Sequence, residues 1–211
     1  MVCVLAGHCT RPVAYDVAVR TSTRWVLLFF IGAAVGTALD HLHVSFGVLD
    51  YPGSWPFAQR PWVPPLFGGA TVSFVLGHQA FRVPGSRGSG TRALLAILLF
   101  AAAYFCSAAF HEHPKTLLAL MALAFAPFVY GQHYLRRAAY ALSIALGGML
   151  FETALVTLGG FRYLEPGLLP VPIWLPGLYL YGALAARELD LAFFMPAVDS
   201  AIGHVTERSG T

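Results

Sequence analysis

Two carboxylates sit inside apolar runs of this chain. Asp40 lies about 15 residues into one run and Glu152 about 14 into another, which at ~1.5 Å rise per residue puts both in the outer third of a bilayer. A carboxylate there is costly unless it is paired, protonated or turned toward a wet cavity. Two such acids facing one cavity could accept hydrogen bonds from a polar head, exchange a proton, or serve as acid and base on a lipid. Structural roles compete with these: an interhelical hydrogen bond, a bond from Asp40 to His43 on its own helix, or snorkelling to the surface. His41, His43, His111, Glu112 and His113 gather toward the same side and carry metal-ligand chemistry. Their spacing opposes a metal site, because His-x-His on a helix aims the rings about 200° apart and no HExxH pattern is present. No metal and no cofactor is expected. His78 and Gln79, with Arg187, Glu188 and Asp190, read as salt-bridging and snorkelling residues at the inner boundary.

The elements that must position these groups are transmembrane helices. The chain has 211 residues, 57% hydrophobic and 11% charged, and its mean hydropathy is +0.67. A soluble domain carries about 25% charged residues. Six apolar runs, 25–46, 62–81, 93–110, 115–132, 138–160 and 173–195, each approach the ~20 residues that cross the hydrocarbon as helix. The fold class expected is all-α: a polytopic six-transmembrane-helix bundle over 25–195. It has a cytoplasmic N-terminal tail over 1–24 and a cytoplasmic C-terminal tail over 196–211. The tail over 1–24 holds Arg11, Asp16, Arg20 and Arg24 and reads as no removed signal peptide. With both termini inside, ten arginines fall on inner segments. Only Arg60, Lys115 and Arg162 fall outside, which fixes the orientation and leaves nucleic acid without support as a partner. Cys3, Cys9 and Cys106 form no paired framework. Arginine-for-lysine bias with abundant alanine and glycine points to a GC-rich, bacterial genome and hence a plasma membrane.

The chain also repeats itself. Gly36, Asp40, Gly47, Tyr51, Trp62 and Pro64 recur 112 positions later as Gly148, Glu152, Gly159, Tyr163, Trp174 and Pro176. From Arg24/Arg136 to Phe81/Phe193 there are 11 identities in 58 aligned positions, against roughly 4 or 5 expected from composition. Spans 1–2 and 5–6 therefore read as related hairpins framing a cavity, with one acid from each. The two long outer connections each feed a helix through Trp-x-Pro, where proline suits the first turn. Their Trp and Tyr residues read as headgroup-level anchors. Small residues mark packing faces, among them Gly32, Gly36, Ala101 to Ala103, Ser107 and Ala108. Spans 3 and 4 lie outside the repeat and are the expected surface of a homo-oligomer.

Trp62-Val63-Pro64-Pro65 followed by Gly68 resembles the start of the second span in the Insig (insulin-induced gene) family. Gly159, Tyr163, Pro166, Trp174-Leu175-Pro176 and Gly182 match the spacings of that family's fifth and sixth spans, and the likeness extends from about Arg24 to Leu191. The resemblance implies six spans, no catalytic activity, and a sterol bound within the bundle. In eukaryotes it also implies retention of partners carrying a sterol-sensing domain, through spans three and four. The chain departs from the family at Gln132, where an acidic residue is the rule. It departs again at Phe128 and Val129, which stand in for a tryptophan pair, and in the inner loop Pro84–Arg92. Together these readings select Asp40, Glu152, Phe128, Trp62, Trp174 and Tyr179 as ligand-binding candidates. The expected ligand is a neutral hydroxylated lipid, a sterol or acylglycerol. An isoprenoid- or lipid-modifying enzyme using the two acids and a structural assembly protein are the alternatives.

Overall fold

The computed structural model describes residues 13–53, 58–81, 88–130, 133–167 and 169–194. The expectations for Cys3, Cys9, residues 82–87, Gln132 and the tail 196–211 lie outside the described residues. Six helices form among the described residues: α1 (Val13–Ser45), α2 (Val63–Ala80), α3 (Gly90–Ala109), α4 (Pro114–Val129), α5 (Tyr134–Thr157) and α6 (Leu175–Phe193). Two short strands, β1 (Leu49–Asp50) and β2 (Arg162–Tyr163), lie in the two long connections. Ser22–Ser45, Gly90–Ala109 and Tyr134–Thr157 are long and apolar enough by themselves to cross a membrane. α1 starts twelve positions before the first apolar run. No glycine or proline between Pro12 and Gly32 interrupts it.

α6 is the hub. It packs against α2, α3, α4 and α5, while α1 pairs with α2. Small residues make this possible: Gly177, Gly182, Ala183, Ala185 and Ala186 are all buried on α6. α3 lies against α1 and α6 and buries Ala96, Ala103, Ser107 and Ala108 there. The small-residue face of span 3 is thus used within the chain. The opposite face of α3 leaves Leu94, Leu95, Leu98 and Phe105 exposed.

The repeat is expressed in the backbone. α1 and α5 stop at equivalent glycines, Gly47 (φ 71°) and Gly159 (φ 75°). In both, the glycine N–H bonds three residues back, to Val44 O or Val156 O. The next N–H bonds five back, to His43 O or Leu155 O. This is the left-handed glycine stop of a Schellman motif. α2 and α6 start at equivalent tryptophans, Trp62 and Trp174, with near-identical backbone angles and proline in the first turn.

Tertiary contacts then locate a local two-fold axis, since equivalent positions touch each other only where such an axis passes. β1 and β2 pair antiparallel with Asp50 opposite Arg162, positions 112 apart. At the far end of the bundle His78 Nδ1 meets Asp190 Oδ2 at 2.6 Å, again 112 apart. The axis runs from one pair to the other, between α2 and α6.

Equivalent glycines also carry equivalent rings. A Cβ at Gly36 would overlap the Phe67 ring, and one at Gly148 the Tyr179 ring, whereas a Cβ at Gly69 meets open space. Gly36→Ala and Gly148→Ala are therefore expected to lose about 1–3 kcal/mol through overpacking. Gly69→Ala should be neutral or more stable by up to about 1 kcal/mol, the helix-propensity gain. Unfolding in mixed micelles checks both; equal effects at Gly36 and Gly69 would contradict the packing argument.

Candidate functional site

Between the two hairpins lies a cavity of about 540 Å³. Its lining is built largely from equivalent pairs: Gly36 and Gly148, Asp40 and Glu152, Tyr51 and Tyr163, Phe67 and Tyr179, Ala70 and Gly182. α3 adds Ile97, Phe100 and Tyr104 from one side. Most of the surface is hydrocarbon and aromatic, and no lysine or arginine among the described residues lines it. A mostly apolar cavity with a few placed polar groups is the usual form of a small-molecule site.

Each acid is held by two side-chain donors. Asp40 is 5% exposed, and its Oδ2 accepts from the Tyr51 hydroxyl at 2.8 Å and from Gln59 Nε2 at 2.8 Å. Gln59 also donates to Thr37 O at 3.0 Å, which tethers the first long connection to α1. Glu152 accepts from the Tyr163 hydroxyl on Oε2 and from the Tyr179 hydroxyl on Oε1, the latter at 2.5 Å. The tyrosine lies eleven residues after the acid in both hairpins, because the same glycine stop turns the chain back at the same place. Burial, reinforced by the neighbouring carboxylate, pushes the Tyr51 and Tyr163 phenols above their ordinary range, so both remain donors. A carboxylate offers about four lone-pair positions. Two donors at each therefore leave acceptor capacity for a ligand hydroxyl.

Several sequence-stated placements change. Tyr51 and Tyr163 are 6% and 7% exposed and turn inward onto the acids instead of anchoring at headgroups. Asp40 does not pair with His43. That histidine is buried, bonds Ser107 Oγ through Nε2 at 2.8 Å and stacks on Tyr104 at 4.8 Å. Ser107 and His43 have the residue types of a nucleophile–base pair, but the proton order is wrong for it. The Ser107 hydroxyl donates to Tyr104 O at 2.8 Å, so His43 must be the donor to Ser107. His78 and Asp190 are 2% and 4% exposed, and Gln79 adds a bond to Asp190 Oδ1 at 2.6 Å. They do not snorkel, because both face the axis. Arg187 pairs with its neighbour Glu188, itself 8% exposed.

Of the ligand-binding candidates, Asp40, Glu152, Trp62 and Tyr179 line the cavity. Trp174 does not: it is 1% exposed, packed edge-on against His43 and Tyr163. Trp62 escapes this fate because α3 covers only the Trp174 side. Phe128 is 39% exposed on α4, a helix none of whose described residues lines the cavity, and packs against Phe125. Gln59 was invisible in the sequence, since its repeat counterpart is Val171. The tyrosines carried a signal in the recurrence of Tyr eleven residues after each acid. Among the described residues, no three His, Cys, Asp or Glu side chains converge on one point.

Six apolar helices, related hairpins and an internal cavity define a polytopic membrane protein built around a hydrophobic chamber. No protein-family model matches the chain. It is, however, 34% identical over 182 residues to the INSIG protein homolog of Mycolicibacterium vanbaalenii, a match spanning 79% of this chain and 85% of that one. The chain belongs to the Insig family. The crystal structure of the Insig homolog from Mycobacterium vanbaalenii superposes with a TM-score of 0.72 at 29% identity, over 83% of this chain and 97% of that chain. A crystal structure of a cross-linked trimer of a cysteine variant of that protein matches to the same extent, with TM-score 0.72 and the same coverage.

Proposed function

We propose that this chain is a non-enzymatic, sensor-type membrane protein that holds a neutral hydroxylated lipid, of the sterol or acylglycerol class, in the cavity between its hairpins. The observation that carries the reading is the apolar chamber whose only described anionic groups are two tyrosine-tethered carboxylates. An apolar body satisfies the walls, and a hydroxyl can donate to the acids. A phosphate or carboxylate head would meet Asp40 and Glu152 with no cation beside it, and like charges at close range cost several kcal/mol. Against an enzyme stands the state of the acids: both are tied to fixed donors, and the one Ser–His pair described runs its protons the wrong way. Membership in the Insig family supports a sensor over a catalyst. We place it in a bacterial plasma membrane with both termini cytoplasmic, on the arginine distribution. The relative's cross-linked trimer supports assembly with further copies of this chain; we assign the contact to the exposed faces of α3 and α4, which lie outside the repeat.

Native mass spectrometry of detergent-purified protein, with extraction of what co-purifies, tests the reading. One neutral lipid retained at fixed stoichiometry per chain is the expected result. Retention of only the bulk phospholipid mixture would remove the proposal.

A further inference from the structure

The local two-fold makes a demand that the fold meets on one side only. α1 is equivalent to α5, and α2 to α6. The gap between α1 and α6 is therefore equivalent to the gap between α5 and α2. α3 fills the first, placing Ile97, Phe100 and Tyr104 against the cavity. Among the described residues nothing fills the second: apart from α2 and α5 themselves, no helix lines the cavity there.

The empty gap is closed at its two ends and open in the middle. At the strand end, the Trp62 ring reaches Gly160, within 3.5 Å of where a Cβ would stand. At the opposite end, the Tyr140 hydroxyl donates to Phe74 O at 3.1 Å, and a Cβ at Gly77 would touch Tyr140 and Ile144 at 3.6 Å. Between these contacts, a Cβ at Gly69 or at Gly147 would meet nothing within 4 Å. Four residues that line the cavity are also exposed on the outer surface here: Pro65 and Ser73 on α2, Gly147 and Phe151 on α5. Elsewhere that double exposure is found at Ile31, on α1.

We propose that this mid-membrane window between α2 and α5 is the passage through which a membrane lipid moves sideways between the bilayer and the cavity. The inference rests on the lipid-holding function proposed above and adds the route. The closed ends argue for a lipid over a partner helix. A helix with its side chains is about 10 Å across and needs a groove along its length, whereas a hydrocarbon chain can thread a window bounded above and below. Opening toward hydrocarbon also suits a ligand whose solubility lies there rather than in water.

The window can be narrowed without touching the acids. In Gly69→Leu/Gly147→Leu each new Cβ enters open space, so the bundle should keep its fold. Wild type and variant are reconstituted in phosphatidylcholine nanodiscs and mixed with vesicles containing a fluorescent sterol or a fluorescent monoacylglycerol. Uptake and release are followed by energy transfer from the protein's tryptophans. The expected result is that both rates fall together, by about tenfold or more, since a blocked passage slows entry and exit alike. Ala34→Leu, on the outer face of α1, should leave both rates as in wild type. Uptake by wild type with unchanged rates in the variant would overturn the passage and leave the lipid-holding function standing. No uptake by wild type would overturn both. Should the double variant fail to fold, Ser73→Phe at the rim gives the same test. Normal lipid exchange in the variant, with loss of a membrane protein that co-purifies stoichiometrically with wild type, would give the gap to a partner helix instead.

Discussion

Replacing both cavity acids, in Asp40→Ala/Glu152→Ala, is expected to weaken capture of a neutral hydroxylated lipid by about 100-fold, near 2.7 kcal/mol, while the protein still folds and inserts. A hydrogen bond to a charged acceptor contributes about 1.5–3 kcal/mol, so the loss of one or two ligand hydroxyl contacts accounts for that figure. The substitution also strands four donors, those of Tyr51, Gln59, Tyr163 and Tyr179, at the cavity wall. Two further variants separate these effects. Asp40→Asn/Glu152→Gln keeps an acceptor oxygen at each site and removes the charge, and should lose about tenfold. Tyr51→Phe/Tyr163→Phe removes one donor from each acid and keeps the acceptors, and should bind within about threefold of wild type, since freed acceptor positions remain available. Binding of a radiolabelled sterol in nanodiscs gives the affinities. Wild-type affinity in the double-alanine variant would end the role assigned to the acids. A tyrosine variant as weak as the alanine variant would mean that the acids serve to hold the tyrosines.

The largest stability effect is expected where the axis leaves the far end of the bundle. His78→Ala or Asp190→Ala alone should destabilise by about 3–5 kcal/mol, because each strands a buried polar partner. His78 and Asp190 are both nearly inaccessible, and Gln79 also bonds Asp190, so water cannot replace the missing group cheaply. The double variant should cost clearly less than the sum of the two, since it leaves no unpaired half of the pair. Reversible unfolding in mixed micelles, run as a double-mutant cycle, reads the coupling. Additive losses would show that the 2.6 Å contact carries no energy of its own. By contrast, the exposed Asp50–Arg162 pair at the strand end, 2.9 Å apart, should couple by no more than about 1 kcal/mol. The two ends of the axis thus differ in kind: one is buried chemistry, the other a solvated register mark.

Much of this was written locally. Apolar run length set the six helices, and the proline after each tryptophan set where α2 and α6 begin. Gly47 and Gly159 set where α1 and α5 end, because a left-handed backbone excludes most side chains at those positions. Once the stop and the spacing are fixed, a tyrosine eleven residues after each acid is carried back toward it, and the recurrence of that spacing was visible in the chain. Which way each tyrosine turned was not visible. An aromatic near a membrane surface has the same local sequence whether it faces headgroups or a buried acid.

The rest required the third dimension, for one reason: a side chain's surroundings depend on which helix fills the groove beside it. Trp62 and Trp174 occupy equivalent positions with equivalent backbones, yet one lines the cavity and the other is sealed in the core. The difference is α3, from outside the repeat: its Tyr104 stacks on His43 of α1, whose ring packs edge-on against the second tryptophan, while the first is left beside an open gap. His78 and Asp190 looked like boundary residues because each, taken alone, is a polar group near a helix end. They became a buried pair only when the axis brought α2 against α6. The sequence by itself determined the elements, their stops and the two acids. Only the tertiary structure decided which residues meet at the cavity and which side of it is open, because the seating of α3 against one hairpin junction and not its equivalent is a long-range packing choice that no local pattern records.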